Sequence, residues 1–382
     1  MTQRRLLILG ALAIVVIAVA LPLSQRHDRS STADGDQLLY PELKAKLDSV
    51  EAVKVFKAGD AGVVEVRRTG TDWSVVDRSG YPADAEKVRK FLLAAAAAKR
   101  VEEKTSNPAS YAALGVEDVT AATATGHRVE ISGGGAPVNL IVGKQAGRSS
   151  QYVRRAGDQQ SWQVSGSLDV PTTSDAWLRK DIIDVSSDRI QSFTVTIDGG
   201  KPWSAEKSAR TASSFSVDGV PKGKELNSPS AADNISSALA TLALADVRKA
   251  SELQAQKPSA HTTFRTFDGL VAEVDGWAQD SKHYIALTTS YDAALAQRFK
   301  VAPAEPAKAP AAEGSAANDK TAPPPPAAPE RNVAEESKSQ NAVLAGWAYE
   351  IPDYKYEAIF KPLDELLKKP TEALPETLPK KK

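Results

Sequence analysis

The chain has 382 residues, equal numbers of basic and acidic side chains (48 each, a formal net charge of zero) and no cysteine. The length suits two or three domains, and the missing basic surplus argues against a nucleic-acid binder, which must neutralise phosphates. Without cysteine there are no disulfides, thiolate metal sites, iron–sulfur clusters, cysteine nucleophile or lipid-modified N-terminal cysteine, a composition that fits an oxidising compartment.

Residues 6–23 are apolar apart from Gly10 and Pro22, and they follow Arg4-Arg5. Eighteen helical residues would span about 27 Å, close to the hydrocarbon thickness of a bilayer. Ala18-Val19-Ala20 has the small-x-small form of a signal-peptidase site, but the run continues through Leu21-Pro22-Leu23 and is long for a signal core, which favours a retained anchor. The reading is a cytoplasmic stretch over 1–5, a transmembrane anchor over 6–24 and a linker over 25–42. The body then faces the periplasm from a bacterial inner membrane crossed once.

The body opens with a meander. Val53 to Phe56, Val63 to Arg67 and Trp73 to Val76 read as strands, separated by turns at 58–62 and 69–72. Asp84 then caps a helix whose Val88, Phe91, Leu92 and Ala95 keep the i, i+3, i+4, i+7 spacing of one buried face. Tyr111 to Gly115 reads as a helical turn. Strands follow at 127–131, 138–142, 151–155 and 162–164, and a short helix over 175–183 closes the unit. A weaker echo begins at 190: a strand to 197, Phe215-Ser216-Val217 in the place of Trp73-Ser74-Val75, and a second amphipathic helix marked by Ile235, Ala238, Leu239 and Leu242. Strands at 262–267, 270–274, 284–287 and 347–351 come next, and a closing helix runs from Tyr356 to Leu367. The expected fold class is α+β: an N-terminal transmembrane helix, then two tandem, mostly antiparallel β-sheet repeats (43–183 and 184–368), each with a packed amphipathic helix. A Pro/Ala-rich tract over 301–341 is expected as a disordered insertion in the second repeat, and 369–382 as a disordered tail.

Trp73, Pro82-Ala83-Asp84 with Val88 and Leu92, Tyr111-Ala112-Ala113-Leu114-Gly115, Leu140-Ile141-Val142-Gly143, Tyr152-Val153-Arg154 and Trp177-Leu178-Arg179-Lys180-Asp181 occur in that order behind the apolar N-terminus. In this order the chain resembles the domain of unknown function 4340 family. One departure stands out: Glu117-Asp118 occupies the place after the Leu-Gly element where the family often has proline. The resemblance implies a membrane-anchored protein of the kind that accompanies ABC-type transport systems, including those tied to gliding motility. It brings no catalytic residues with it.

Chemistry-bearing patterns are sparse. His27, His127, His261 and His283 are not at metal-ligand spacing with one another, and no His-Glu-x-x-His occurs. Ser204-Ala205-Glu206-Lys207 has the Ser-x-x-Lys form, but Ser-Asp-Asn and Lys-Thr-Gly are missing. Glu102-Glu103 are adjacent and would not face one site. Gly133-Gly134-Gly135 reads as a hairpin turn rather than a phosphate cradle. Most of the six tryptophans (73, 162, 177, 203, 277 and 347) fall in expected strands or a closing helix, where core packing explains them. The reading is therefore a non-enzymatic auxiliary or scaffold component of an ABC-type transport complex. It has no catalytic, cofactor or metal residues to name, and its partners are the membrane and permease or ATPase subunits. The alternative is an envelope binding module for glycan or peptide, and a hydrolase with a dispersed site is a third reading.

Overall fold

The computed structural model describes residues 38–133, 135, 137–253, 256–300 and 331–368. The expected anchor over 6–24, the first residues, most of the linker, the tract 301–330 and the tail lie outside them. Among the described residues no helix is long and apolar enough to cross a membrane. The chain divides into two compact units, Met1–Arg179 and Lys180–Lys382.

The first unit is one nine-stranded antiparallel sheet. Its strands are β1 (Ala52–Lys57), β2 (Ala61–Thr69), β3 (Asp72–Val75), β4 (Tyr81–Pro82), β5 (Lys99–Glu103), β6 (His127–Ser132), β7 (Val138–Gln145), β8 (Ser150–Arg155) and β9 (Ser161–Ser165). They lie in the order β4-β3-β2-β1-β6-β7-β8-β9-β5. Helices α1 (Pro41–Ala45), α2 (Ala85–Ala97) and α3 (Tyr111–Leu114) accompany it. Helix α2 leaves one edge strand, β4, and delivers the chain into the other, β5. Its 13 residues reach about 20 Å. The eight strand intervals between those edges measure about 38 Å along a flat sheet. A helix that short joins both edges only because the sheet curls. Alternation along the strands sends Val53, Val55, Val64, Val66, Val129, Ile131, Leu140 and Val142 into the core. Val88, Phe91, Leu92, Ala95 and Ala96 of α2 are buried as well. Burying each large apolar side chain contributes roughly 1.5–3 kcal/mol before ordering entropy is charged.

In the second unit β10 (Asp181–Ile183) pairs with β14 (Leu242–Ala243) as a two-stranded ribbon. The main sheet holds β11 (Ile190–Ile197), β12 (Trp203–Glu206), β13 (Ser216–Asp218), β15 (Asp246–Lys249), β16 (Ala260–Thr266), β17 (Leu270–Gln279), β18 (Lys282–Tyr291) and β19 (Trp347–Ile351). Its order is β13-β12-β11-β16-β17-β18-β19-β15, which is the first sheet's order once β4 is set aside. The helices here are α4 (Asp233–Ser236), α5 (Ala293–Arg298), α6 (Val333–Leu344), α7 (Asp353–Ile359) and α8 (Leu363–Leu366).

The expected α+β class is overturned. The described chain is mostly β, built on two large antiparallel sheets, and its helices are not packed one per repeat. The second amphipathic helix is the clearest correction. Of Ile235, Ala238, Leu239 and Leu242, all buried, only Ile235 is in α4, and Leu242 belongs to β14. The 3.6-residue spacing arose from irregular chain whose apolar residues all turn inward. The helix expected over 175–183 is a single 3-10 turn, Asp175–Trp177, followed by β10. Helix α6 overlaps the end of the stretch 301–341 that was expected to be disordered, and it covers part of β18. It is capped by Asn332, whose side chain accepts the Glu335 N–H at 3.2 Å. It is also clamped by the buried Arg189, whose guanidinium donates to Asp268 (3.0 Å) and Glu336 (2.8 Å).

Candidate functional site

Two clasps in the first unit gather residues scattered along the sequence. In one, Tyr111 to Gly115 folds onto the outer face of β7 and β8. Tyr111, Val116 and Ile141 form a buried cluster with Leu114, Tyr152 and Ala156 against it. Gly115 ends α3 in the left-handed region (φ 71°), where its N–H reaches back to the Tyr111 carbonyl. Gly143 has no room for a side chain: a Cβ there would lie 2.4 Å from the Leu114 carbonyl oxygen. Arg154, 2 % exposed, ties the clasp together. Its Nε donates to the Val116 carbonyl at 2.8 Å, Nη1 to the Asp158 carbonyl at 2.8 Å and Nη2 to Asp118 Oδ1 at 2.5 Å. The guanidinium also lies 4.5 Å from the centroid of the Tyr111 ring.

In the other clasp Asp84 caps α2 by accepting the Lys87 N–H at 3.0 Å, while its own N–H donates to the Trp177 carbonyl at 2.8 Å. Ala83 bridges to Leu178, and Arg179 N–H donates to the Pro82 carbonyl. The Lys87 ammonium reaches the Ala176 carbonyl. Trp177 is fully buried, edge-on to Phe91 at 5.6 Å, with its indole N–H donated to the Pro171 carbonyl at 3.0 Å.

These are the residue runs on which the sequence resemblance rested. The family described as Domain of unknown function (DUF4340) matches residues 73–262. That stretch of the chain belongs to this family. No curated protein and no solved structure matches the chain. In this DUF4340 stretch the departure at Glu117-Asp118 has a structural use, because Asp118 is the carboxylate that meets Arg154.

Beside the second clasp lies an open cleft of about 760 Å³ between α2 and the loop 167–176. Its floor includes Phe91, Ala94 and the half-exposed Leu93, and its rim carries Arg89, Lys90 and Asp169. Ser167 and Asp169 also line a smaller polar recess of about 160 Å³ that holds His127, Gln145 and Thr172. Burial, with the charge of Lys57 second, pushes the His127 pKa down.

The remaining sequence candidates do not converge in the first unit or the second. Ser204 lies in β12, and on extended chain residues three apart point to opposite faces. Lys207 instead sits 4.7 Å from the Phe215 ring. Glu102 and Glu103 lie on β5, with Glu102 paired to Lys104 at 2.7 Å. His283 pairs with Asp353 at 2.8 Å and stacks on Tyr356.

One arrangement was not visible in the sequence because it crosses strands. His261 Nδ1 lies 2.8 Å from Asp275 Oδ1, and its Nε2 lies 3.2 Å from Thr263 Oγ1. This has the order of a hydroxyl–imidazole–carboxylate relay. However, β16 is hydrogen-bonded along both edges, so the backbone amides around Thr263 are committed to the ladders. That leaves no pair of amides there to receive an oxyanion. Of the tryptophans, 177, 203 and 277 are buried, while 73, 162 and 347 are half-buried.

Proposed function

We propose that this protein is a non-enzymatic auxiliary or scaffold subunit of an ABC-type transport complex, tethered to the bacterial inner membrane by its apolar N-terminal stretch. The observation that carries the reading is what the family's residues do. Tyr111, Gly115, Gly143, Arg154, Asp84 and Trp177 are spent on two packing clasps, each satisfied by partners within its own unit. The motif residues of a scaffold are expected to hold shape, whereas those of an enzyme would aim unpaired polar groups at a substrate. The 18-residue apolar stretch after Arg4-Arg5 supports the tether.

The test is solubilisation of membranes in mild detergent and capture of the tagged full chain. Co-purification of a permease or ATPase subunit in fixed ratio supports the reading. Recovery of the chain alone under several mild conditions sinks it.

A further inference from the structure

We propose that a trough on the open face of the second sheet is a saccharide-binding site. Side chains alternate along β17, so Glu273, Asp275 and Trp277 share one face, opposite Thr288, Ala286 and Tyr284 of β18. On that face a trough of about 340 Å³ lies between the loop 256–258 and the turn 344–347. The loop is held by the Trp277 indole, which donates to the Gln256 carbonyl at 3.0 Å. Ala286 packs against the buried cluster of Trp277, Tyr284 and Ala348, giving the trough an apolar floor. Trp347 contributes to the wall.

The polar groups are what select the ligand. Glu273, Thr288 and Lys257 line the trough, and none of their side chains has a hydrogen bond or ion pair to another described residue. Asp275 has one oxygen on His261 and lines the same trough with the other available. The set therefore offers carboxylate acceptors, an ammonium donor and a hydroxyl that does both, around a small apolar floor. A simple cation would meet Lys257, and a simple anion would meet two carboxylates. A sugar presents hydroxyls that donate and accept at its rim and C–H groups on its ring face, and it satisfies both halves of the trough. The volume is at the low end for small-molecule sites, about 300–1,000 Å³, which suits a mono- or disaccharide. The site stands whether or not the chain has a transport partner.

The experiment is a titration of the full chain in detergent with cellobiose, maltose and N,N′-diacetylchitobiose, read by saturation-transfer NMR and tryptophan fluorescence. At least one disaccharide is expected to bind with a Kd on the order of millimolar. Glu273→Gln, at an exposed position, should weaken that binding about tenfold. Ala286→Phe should abolish it by filling the floor, and Thr288→Ala serves the same purpose if that variant fails to fold. No binding by any of the three sugars at about 20 mM overturns the proposal. So does wild-type affinity in the Glu273→Gln and Thr288→Ala variants, or binding of Nα-acetyl-lysine amide in place of the sugars.

Discussion

The carboxamide of Asn341 takes both backbone groups of Thr289. Its Oδ1 accepts the Thr289 N–H at 2.8 Å, and its Nδ2 donates to the Thr289 carbonyl. The reason lies in the sheet. Strand β19 pairs with β18 only from His283 to Ile285, so among the described residues no strand lies beside the rest of that edge. Helix α6 covers it instead, and one side chain supplies what a strand's backbone would have. The Thr289 hydroxyl adds a bond to the Ser337 carbonyl at 3.0 Å.

Asn341→Ala should therefore leave a buried N–H and C=O unpaired and cost about 1–3 kcal/mol. Denaturant unfolding followed by fluorescence gives the stability change. Hydrogen exchange at the Thr289 amide should speed up even under native conditions. A wild-type midpoint together with a protected amide would mean that α6 is held by its other contacts alone.

The first clasp can be tested at its tightest point. Gly143→Ala puts a methyl group 2.4 Å from the Leu114 carbonyl oxygen and 2.8 Å from Val116 Cγ1, and the nearest atom is backbone that cannot swing away. Overpacking of this kind costs about 1–3 kcal/mol. Gly62→Ala is the matched control, since a Cβ there meets nothing within 4 Å. The melting temperature should drop for the first variant and hold for the second. Equal melting temperatures would show that the Leu114–Gly143 approach relaxes freely.

Part of this fold is legible in the amino-acid sequence, and the rest is not for physical reasons. Apolar runs bounded by turn residues marked β1, β2, β6, β7, β8, β16 and β17, and burial alternates cleanly along β2 and β6. Helix α2 was legible from the Asp84 cap and the Val88-Phe91-Leu92-Ala95 stripe. The same spacing misled at 235–242, where inward-facing apolar residues on irregular chain imitate a helix. Helix α6 has only Val333, Ser337 and Leu344 buried, too few apolar residues to stand out beside a Pro/Ala-rich tract. The His261–Asp275 pair and the trough at Glu273 and Thr288 depend on strand register, which sequence spacing does not carry.

The tryptophans sharpen that point. Trp73 reads from sequence as a core residue, yet it is half-buried on a strand next to the sheet edge, whereas Trp177 is fully enclosed. Trp177→Ala should cost about 3–5 kcal/mol, and Trp73→Ala clearly less. Denaturation midpoints of the two variants, measured side by side, decide it. The opposite ranking would place the first unit's centre of packing at β3 instead of the Phe91–Trp177 contact.

His127 is expected to make the first unit sensitive to mild acid. Burial, then Lys57, lowers its pKa in the folded state below the ordinary 6.5. The unfolded chain therefore takes up this proton at a higher pH than the folded one. Wherever the unfolded state binds more protons, stability rises with pH. So stability should fall as the pH drops from about 6.5 through the folded-state pKa, and the His127 contribution should level off below it. NMR titration of the His127 ring should give a midpoint under 6.5. His127→Gln keeps a polar group in the recess but does not titrate. Its melting temperature should lose less than wild type does between about pH 7.5 and pH 5. Parallel curves for the two proteins, or a ring midpoint at or above 6.5, would show that the recess beside Asp169 and Thr172 is better solvated than its burial indicates.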